Sequence, residues 1–321
     1  MDVKDIKKVA CIGGGIIGSS WSIQFAMNGL EVYLRDINEE QLQKSNRQMI
    51  DHLESLLNLN AISEQQFREI IKKIHLTTDM EEALTGAQFV QENGPERLNI
   101  KQGILAEAEQ YLAPDAIYAS STSGLLISDI CEKAEHPERC IGAHPYNPPH
   151  LIPLVELTKS PQCTDEIMQT AKDFYISIKK EPVVLKKECK GFISNRLQQA
   201  IYREMVDLVQ RGVCTLEDVD KALLYGPGIR WAAFGHNVIL QLGSASGIQG
   251  MFELLGDTIN DWMEDMANWK TMDPILWGKF AQQEVEKEIA NFPAHIGNTT
   301  EECRAFRDKV LVEVLKLHGK L

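Results

Sequence analysis

Two side chains stand out by their setting. His144 closes an apolar run read as a strand (residues 140–144) and opens the corner His144-Pro145-Tyr146-Asn147-Pro148-Pro149. Glu156 lies in the next apolar run, Pro153-Leu154-Val155-Glu156-Leu157. A carboxylate beside an imidazole fixes its tautomer and favours its charged form. A neutral imidazole so supported can take a hydroxyl proton as hydride leaves the same carbon. A lone histidine is more often structural, so spacing alone leaves this use open. The second constellation is Gly13-Gly14-Gly15-Ile16-Ile17-Gly18, a G-x-G-x-x-G pattern with Asp36 about 20 residues beyond it. Gly13 permits a tight turn, Gly15 lets a pyrophosphate approach the backbone, and Gly18 lets a helix pack closely on its strand. The N–H groups of Ile16 and Ile17 then open a helix whose positive end faces the phosphates. Asp36 would accept from ribose hydroxyls and repel a 2′-phosphate, so NAD is expected over NADP. Arg35 could serve a 2′-phosphate, but strand alternation points it away from Asp36.

The elements that must position these groups follow from periodicity. Short apolar runs at 9–13, 31–36, 75–78, 89–92, 116–120, 140–144, 151–158 and 182–187 read as strands. Most are separated by helical patterns. The first helix, 16–28, stops at Gly29, a natural C-terminal cap. Two amphipathic helices at 38–58 and 63–73 read as a hairpin, the second opened by a Ser63/Gln66 capping box. Such βα alternation predicts a parallel, doubly wound α/β sheet of the Rossmann type. From residue 191 onward only helical patterning remains; Phe192, Leu197, Ile201, Met205 and Leu208 recur at helical spacing. The expected organisation is a dinucleotide domain over 1–188, containing the hairpin 38–73, and an all-α domain over 189–321.

Composition narrows the partners. The 321-residue chain is 44% hydrophobic and 25% charged, with a net charge of −13. That is ordinary globular composition, and the acidity argues against nucleic acid. No apolar stretch is long enough for a membrane span, and the first ten residues lack a signal-peptide core. Seven scattered cysteines without a C-x-x-C pair read as reduced thiols in a cytoplasm, with no metal site.

Over nearly its whole length the chain resembles the L-3-hydroxyacyl-CoA dehydrogenase superfamily. The resemblance rests on Gly13–Gly18 with Asp36, Pro95-Glu96-Arg97 followed by Lys101, and Ser120-Ser121-Thr122-Ser123. It continues through His144-Pro-Tyr-Asn147-Pro, Glu156 and Gly191-Phe-Ile-Ser-Asn195-Arg196. It implies that His144 is the general base and Glu156 its orienting partner. It also implies that Ser123 and Asn195 hold the substrate oxygen, and that Glu96, Lys101, Asn147 and Ser123 meet the nicotinamide side of NAD. A homodimer through the helical domain is implied as well. The bare residues allow other uses. Ser123 fits the N-cap of a helix over 125–131, Asn195 a bond to backbone, and Glu96 with Lys101 a solvated helix-face pair.

Within the superfamily, Ser121-Thr-Ser-Gly-Leu-Leu, His136-Pro-Glu-Arg-Cys140 and Gly226-Pro-Gly-Ile-Arg230-Trp231-Ala look most like the L-carnitine 3-dehydrogenase branch. The L-gulonate 3-dehydrogenases, which include the lens lambda-crystallins, resemble it closely too. Both branches imply a free 3-hydroxy acid as substrate. One departure is Asn195, where the carnitine branch has an acid and the gulonate and acyl-CoA branches have asparagine. For a free acid, a buried Arg230 would grip the carboxylate. Trp231, Phe234 and Tyr146 would form an apolar or cation-binding wall, unless the first two are core aromatics. The other enzymatic reading is a 3-hydroxyacyl-CoA dehydrogenase, with Arg68, Lys72 and Lys73 of the hairpin on the CoA phosphates. A crystallin-like structural protein is the reading of a different class. Retention of His144, Glu156, Ser123 and Asn195 together argues against it.

Overall fold

The computed structural model describes residues 2–321. The chain forms two compact units, one reaching Arg196 and regaining Asp308–Leu321, the other being Leu197–Arg307.

The first unit is an eight-stranded sheet. In chain order it is built from β1 (Lys8–Ile12), α1 (Ile16–Met27), β2 (Glu31–Arg35), α2 (Glu39–Asn58), α3 (Glu64–Lys72), β3 (Ile74–Thr77) and α4 (Met80–Leu84). There follow β4 (Phe89–Glu92), α5 (Leu98–Ala108), β5 (Ile117–Ser120), α6 (Ile127–Ile130), β6 (Cys140–Pro145), β7 (Leu154–Lys159), α7 (Asp165–Ser177) and β8 (Glu181–Val184). The strand order is β3-β2-β1-β4-β5-β6-β7-β8. Neighbouring strands from β3 to β6 pair in parallel, and the order reverses beside β1, which leaves a crevice beyond the carboxyl ends of β1 and β4. The sheet is not parallel throughout, as the alternation predicts. β7 runs antiparallel to β6, and β8 is parallel to β7. No helix intervenes between residues 145 and 154, so the chain turns back on itself as a hairpin, which an antiparallel pair allows and a parallel pair does not.

Alternation along each strand feeds two cores. Val9, Cys11, Phe89, Ile117, Ala119, Ile141 and Ala143 face one, with Trp21, Phe25 and Phe174 of the helices above them. Ala10, Ile12, Val90, Tyr118 and Cys140 face the other, against Leu84 and Leu105. A strand buried on both faces loses the polar–apolar alternation of a half-exposed one, which is why these runs read as continuously apolar. The hairpin helices form as expected. Asn38 caps α2 and Ser63 with Gln66 makes the capping box of α3.

α8 (Ser194–Gln210) leaves the first unit and runs into the second. There follow α9 (Leu216–Leu223), a π-helical turn at Leu224–Gly228, α10 (Ile229–Trp231), α11 (His236–Leu242), α12 (Gly247–Asp265), α13 (Pro274–Ala290) and α14 (Thr300–Leu317). The expected single helical domain over 189–321 is thus interrupted. Val312 and Leu315 of α14 are buried in the sheet unit's core, beside Leu151, Val155 and Ile178. Phe192, placed by periodicity on a helix, precedes α8 and is buried, while Leu197 is 62% exposed.

Candidate active site

The glycine loop joins β1 to α1 in the β1/β4 crevice. Gly13 is left-handed (φ +91°), and a Cβ there would lie 2.9 Å from Asn93 O in the loop after β4. A Cβ on Gly18 would lie 1.8 Å from Gly13 O, so only glycine lets α1 begin this close to its strand. A Cβ on Gly15 would meet nothing within 4 Å. It would project into open space beside the helix end, and Gly15 supplies no side-chain cap to α1. This cradle suits a phosphate. Asp36 follows β2 beside it, accepting from Gly14 N–H (2.7 Å, Oδ2) and Ile37 N–H (2.6 Å, Oδ1). Carboxylate oxygens have lone pairs beyond these two for a ribose hydroxyl. Arg35 points elsewhere, its guanidinium 3.6 Å from Glu107, which agrees with the expected preference for NAD.

The antiparallel β6–β7 register sets His144 directly opposite Glu156. Their side chains meet with His144 Nδ1 2.9 Å from Glu156 Oε2, both buried. Glu156 accepts three further bonds, from Ile193 N–H (2.8 Å) and Ser194 N–H (2.9 Å) on Oε1 and from the Ser194 hydroxyl (2.5 Å) on Oε2. Burial alone would raise its carboxyl; the bonds from His144, from the Ser194 hydroxyl and from the two amides outweigh it, and Glu156 titrates below the usual carboxylate range. Gly191 (φ +76°) and Phe192 (φ +49°) are both left-handed, and this corner turns the two amides toward Glu156. A non-glycine residue held there is costly and is tolerated where surrounding packing enforces it. Here Phe192 stacks on the His144 ring, centroids 5.0 Å apart. With Nδ1 engaged, Nε2 is the atom left for a substrate proton. Tyr146 stands edge-on to the same ring at 6.5 Å, and the exposed Asn147 begins the cis Asn147–Pro148 peptide.

A second polar cluster lies at the ends of β4 and β5. Lys101 and Glu92 are buried and paired at 2.9 Å. Glu92 also accepts from Ser120 Oγ and Gly94 N–H, each at 2.5 Å. Lys101 reaches on to Glu96, 3.6 Å away. The other Glu96 oxygen accepts from Thr122 Oγ1 (2.7 Å) and from the N–H groups of Ser123 and Gly124 (both 2.9 Å) and Leu125 (3.3 Å). Glu96 and Lys101 are therefore not a solvated helix-face pair. Glu96 precedes α5, and Lys101 is inside. Nor is Ser123 a helix cap, since α6 starts later, at Ile127, and Thr122 Oγ1 takes the Leu125 N–H. Asn195 does bond backbone, its amide donating to Ser123 O (3.1 Å), which brings these two predicted residues together.

In the second unit, Arg230 is exposed rather than buried, Trp231 is half-buried with its indole N–H on His236 Nδ1 (3.1 Å), and Phe234 is 53% exposed. Neither aromatic is a core residue of this unit. Sequence reasoning overlooked Glu92, and gave no role to Ser120, Phe192 or Ser194, which stand inside the motifs quoted above. A charge inside the apolar run 89–92 is the available signal for Glu92. Nothing in the spacing announces Ser194.

The profile of the 3-hydroxyacyl-CoA dehydrogenase NAD binding domain matches residues 8–189, and that of its C-terminal domain matches 191–293. The chain belongs to the 3-hydroxyacyl-CoA dehydrogenase family. It is an NAD-dependent oxidoreductase acting on a CH–OH group. The chain is 34% identical to an L-carnitine dehydrogenase of Bacillus cereus, over 100% of this chain and 95% of that protein. It is 37% identical to a 3-hydroxyacyl-CoA dehydrogenase of Gibberella moniliformis, over 82% of this chain and 81% of that one. Among solved structures it resembles the NAD+-dependent dismutase 5-formyl-3-hydroxy-2-methylpyridine 4-carboxylic acid 5-dehydrogenase, with a TM-score of 0.81 at 28% identity over 97% of this chain and 98% of that one.

Proposed function

We propose that this protein oxidises the secondary alcohol of a small free L-3-hydroxy acid, of carnitine or gulonate type, to the 3-oxo acid. The observation that carries the chemistry is the buried His144–Glu156 pair with imidazole Nε2 left over. NAD, when bound, is the hydride acceptor. His144 Nε2 takes the hydroxyl proton as the carbinol C–H bond breaks and the C=O bond forms. Glu156 steadies the imidazolium that results, and its own four donors keep it ionised and fixed. Ser123 and Asn195 are assigned to the substrate oxygen. Gly13, Gly15, Ile16, Ile17, Gly18 and Asp36 are assigned to the dinucleotide, with Glu96, Lys101 and Asn147 toward its nicotinamide.

Two observations support a free acid over a thioester. The L-carnitine dehydrogenase match spans the whole chain. Of the three hairpin cations that CoA phosphates would need, two are engaged, Arg68 with Glu64 (3.3 Å) and Lys73 with Glu31 (2.9 Å). Asn195 departs from the carnitine branch and fits the gulonate and acyl-CoA branches alike. Arg230 remains the residue proposed for the carboxylate, with Trp231, Phe234 and Tyr146 as neighbours of the substrate. Because Arg230 is exposed within the chain, its loss is expected to cost less than that of a buried ion-pair partner. The enzyme is proposed to be a cytoplasmic homodimer. Its seven cysteines are free thiols, and the second unit exposes Leu254 (78%), Ile275 (71%) and Leu276 (70%), apolar surface suited to a second copy.

The deciding experiment follows NADH formation with L-carnitine, L-gulonate and (S)-3-hydroxybutyryl-CoA. A free acid is expected to give the highest kcat/KM; faster turnover of the thioester overturns the substrate assignment. His144→Ala should lower kcat about 10²–10⁴-fold with NAD affinity unchanged. Undiminished turnover removes His144 as the base.

A further inference from the structure

Ser194 is the first residue of α8, and its side chain does something its position does not require. The hydroxyl is 2.5 Å from Glu156 Oε2, the same oxygen that accepts from His144 Nδ1 at 2.9 Å. Its backbone N–H and that of Ile193 take the other oxygen. The amides at the start of a helix would hold a carboxylate whatever the side chain; the hydroxyl alone competes with the imidazole for one oxygen. A carboxylate oxygen whose charge is shared between two donors stabilises each less than it would stabilise one.

We propose that Ser194 is a positioning residue of the His144–Glu156 pair, whose hydroxyl fixes the carboxylate rotamer and draws off part of its charge, so that the imidazole stays unprotonated to lower pH. The inference rests on the reading of His144 as the base. Among the described residues, the ion pair that His144 and Glu156 make is with each other, and Glu96, which holds the Ser123 loop that Asn195 bonds, is answered by Lys101 at 3.6 Å. β6 holds only Cys140, at its far end. β7 brings Lys159, held by Asp165, and β8 brings Glu181, held by Lys320. Asp129 stands on α6. The approach to α8 brings exposed Lys186, Lys187 and Lys190, and Glu188, whose carboxylate accepts from Ser128 N–H at 2.9 Å. Arg196 is exposed on α8. The Tyr146 hydroxyl is held up by burial and by Glu156, and stays neutral through the range where histidine titrates.

The test reads the imidazole directly. The full-length protein is labelled with 15N-histidine, the His144 signals are assigned by their loss in His144→Asn, and the ring is titrated by NMR in wild type, Ser194→Ala and Ser194→Thr. Ser194→Ala is expected to raise the midpoint by about 0.5 pH unit, roughly threefold in proton affinity. Ser194→Thr, which keeps the hydroxyl, should restore it. The acid limb of kcat/KM against pH, measured with the best substrate of the three named above, should move with the midpoint while KM stays constant. An unshifted midpoint in Ser194→Ala, with the fold intact by melting temperature, overturns the proposal, as does a shift that Ser194→Thr fails to reverse. A midpoint that moves as expected while His144→Asn still turns over every substrate at the wild-type rate leaves Ser194's action on the pair standing and removes the base assignment instead.

Discussion

A buried lysine is tolerable only while its charge is answered. Lys101 is 1% exposed and Glu92 fully buried, and the pair joins the end of β4 to the first turn of α5. Breaking such a pair leaves the other charge stranded, at a cost of about 3–5 kcal/mol. Lys101→Met should therefore destabilise the protein by that order in urea denaturation. The double variant Glu92→Gln/Lys101→Met should recover much of the loss, because neither charge then remains. A double variant no more stable than Lys101→Met alone would mean that the cost lies in packing. The network also explains why Glu96 can hold three successive amides of the Ser123 loop. Lys101, 3.6 Å away, supports its carboxylate, which titrates low although burial opposes this.

At the scale of elements, the glycine loop and the β1–α1–β2 unit are legible because their requirements are local. A left-handed turn and a close helix–strand approach each demand glycine at a particular place, and the residue type reports the demand. The pairing of His144 with Glu156 is legible in part. Two polar residues in apolar runs announce themselves, but the reversal of β7 that sets them opposite depends on a hairpin the periodicity does not encode. Ser194 and Phe192 stay hidden because their work depends on the Gly191–Phe192 corner, a backbone conformation set by packing. The same holds in the second unit, where Glu288 of α13 and Asp220 of α9 share a hydrogen bond that neither helix's own pattern foretells. Burial first, then Asp220 and Glu217, raise Glu288 to about 7. A carboxyl raised above its unfolded value contributes stability that is complete below the unfolded pKa and is lost as pH rises through the folded one. The contact between α9 and α13 should thus weaken from about pH 5 to above 7. Glu288→Gln, which keeps the shape without the charge, should raise the melting temperature by a few degrees at pH 8 and change it little at pH 5. Equal effects at both pH values would remove the pair from this account.

At the scale of the molecule, the sheet unit needs the last stretch of the chain. Val312 (1% exposed) and Leu315 (6%) complete its larger core. Truncating a buried leucine costs about 2–5 kcal/mol, so Leu315→Ala should lower stability by that order and impair NAD binding only through unfolding. Unchanged denaturation midpoints would show α14 to be dispensable to the sheet. The arrangement has a consequence for how the protein is made. The second unit, Leu197–Arg307, is an insertion between two parts of the first. As the chain leaves the ribosome, the helical insert is complete while the sheet still lacks the side chains that close its core. Domains generally fold in the order of their synthesis. Here the dinucleotide site is made first and secured last, and a nascent chain stalled before residue 308 would carry every residue assigned to catalysis on a sheet whose larger core still lacks Val312 and Leu315.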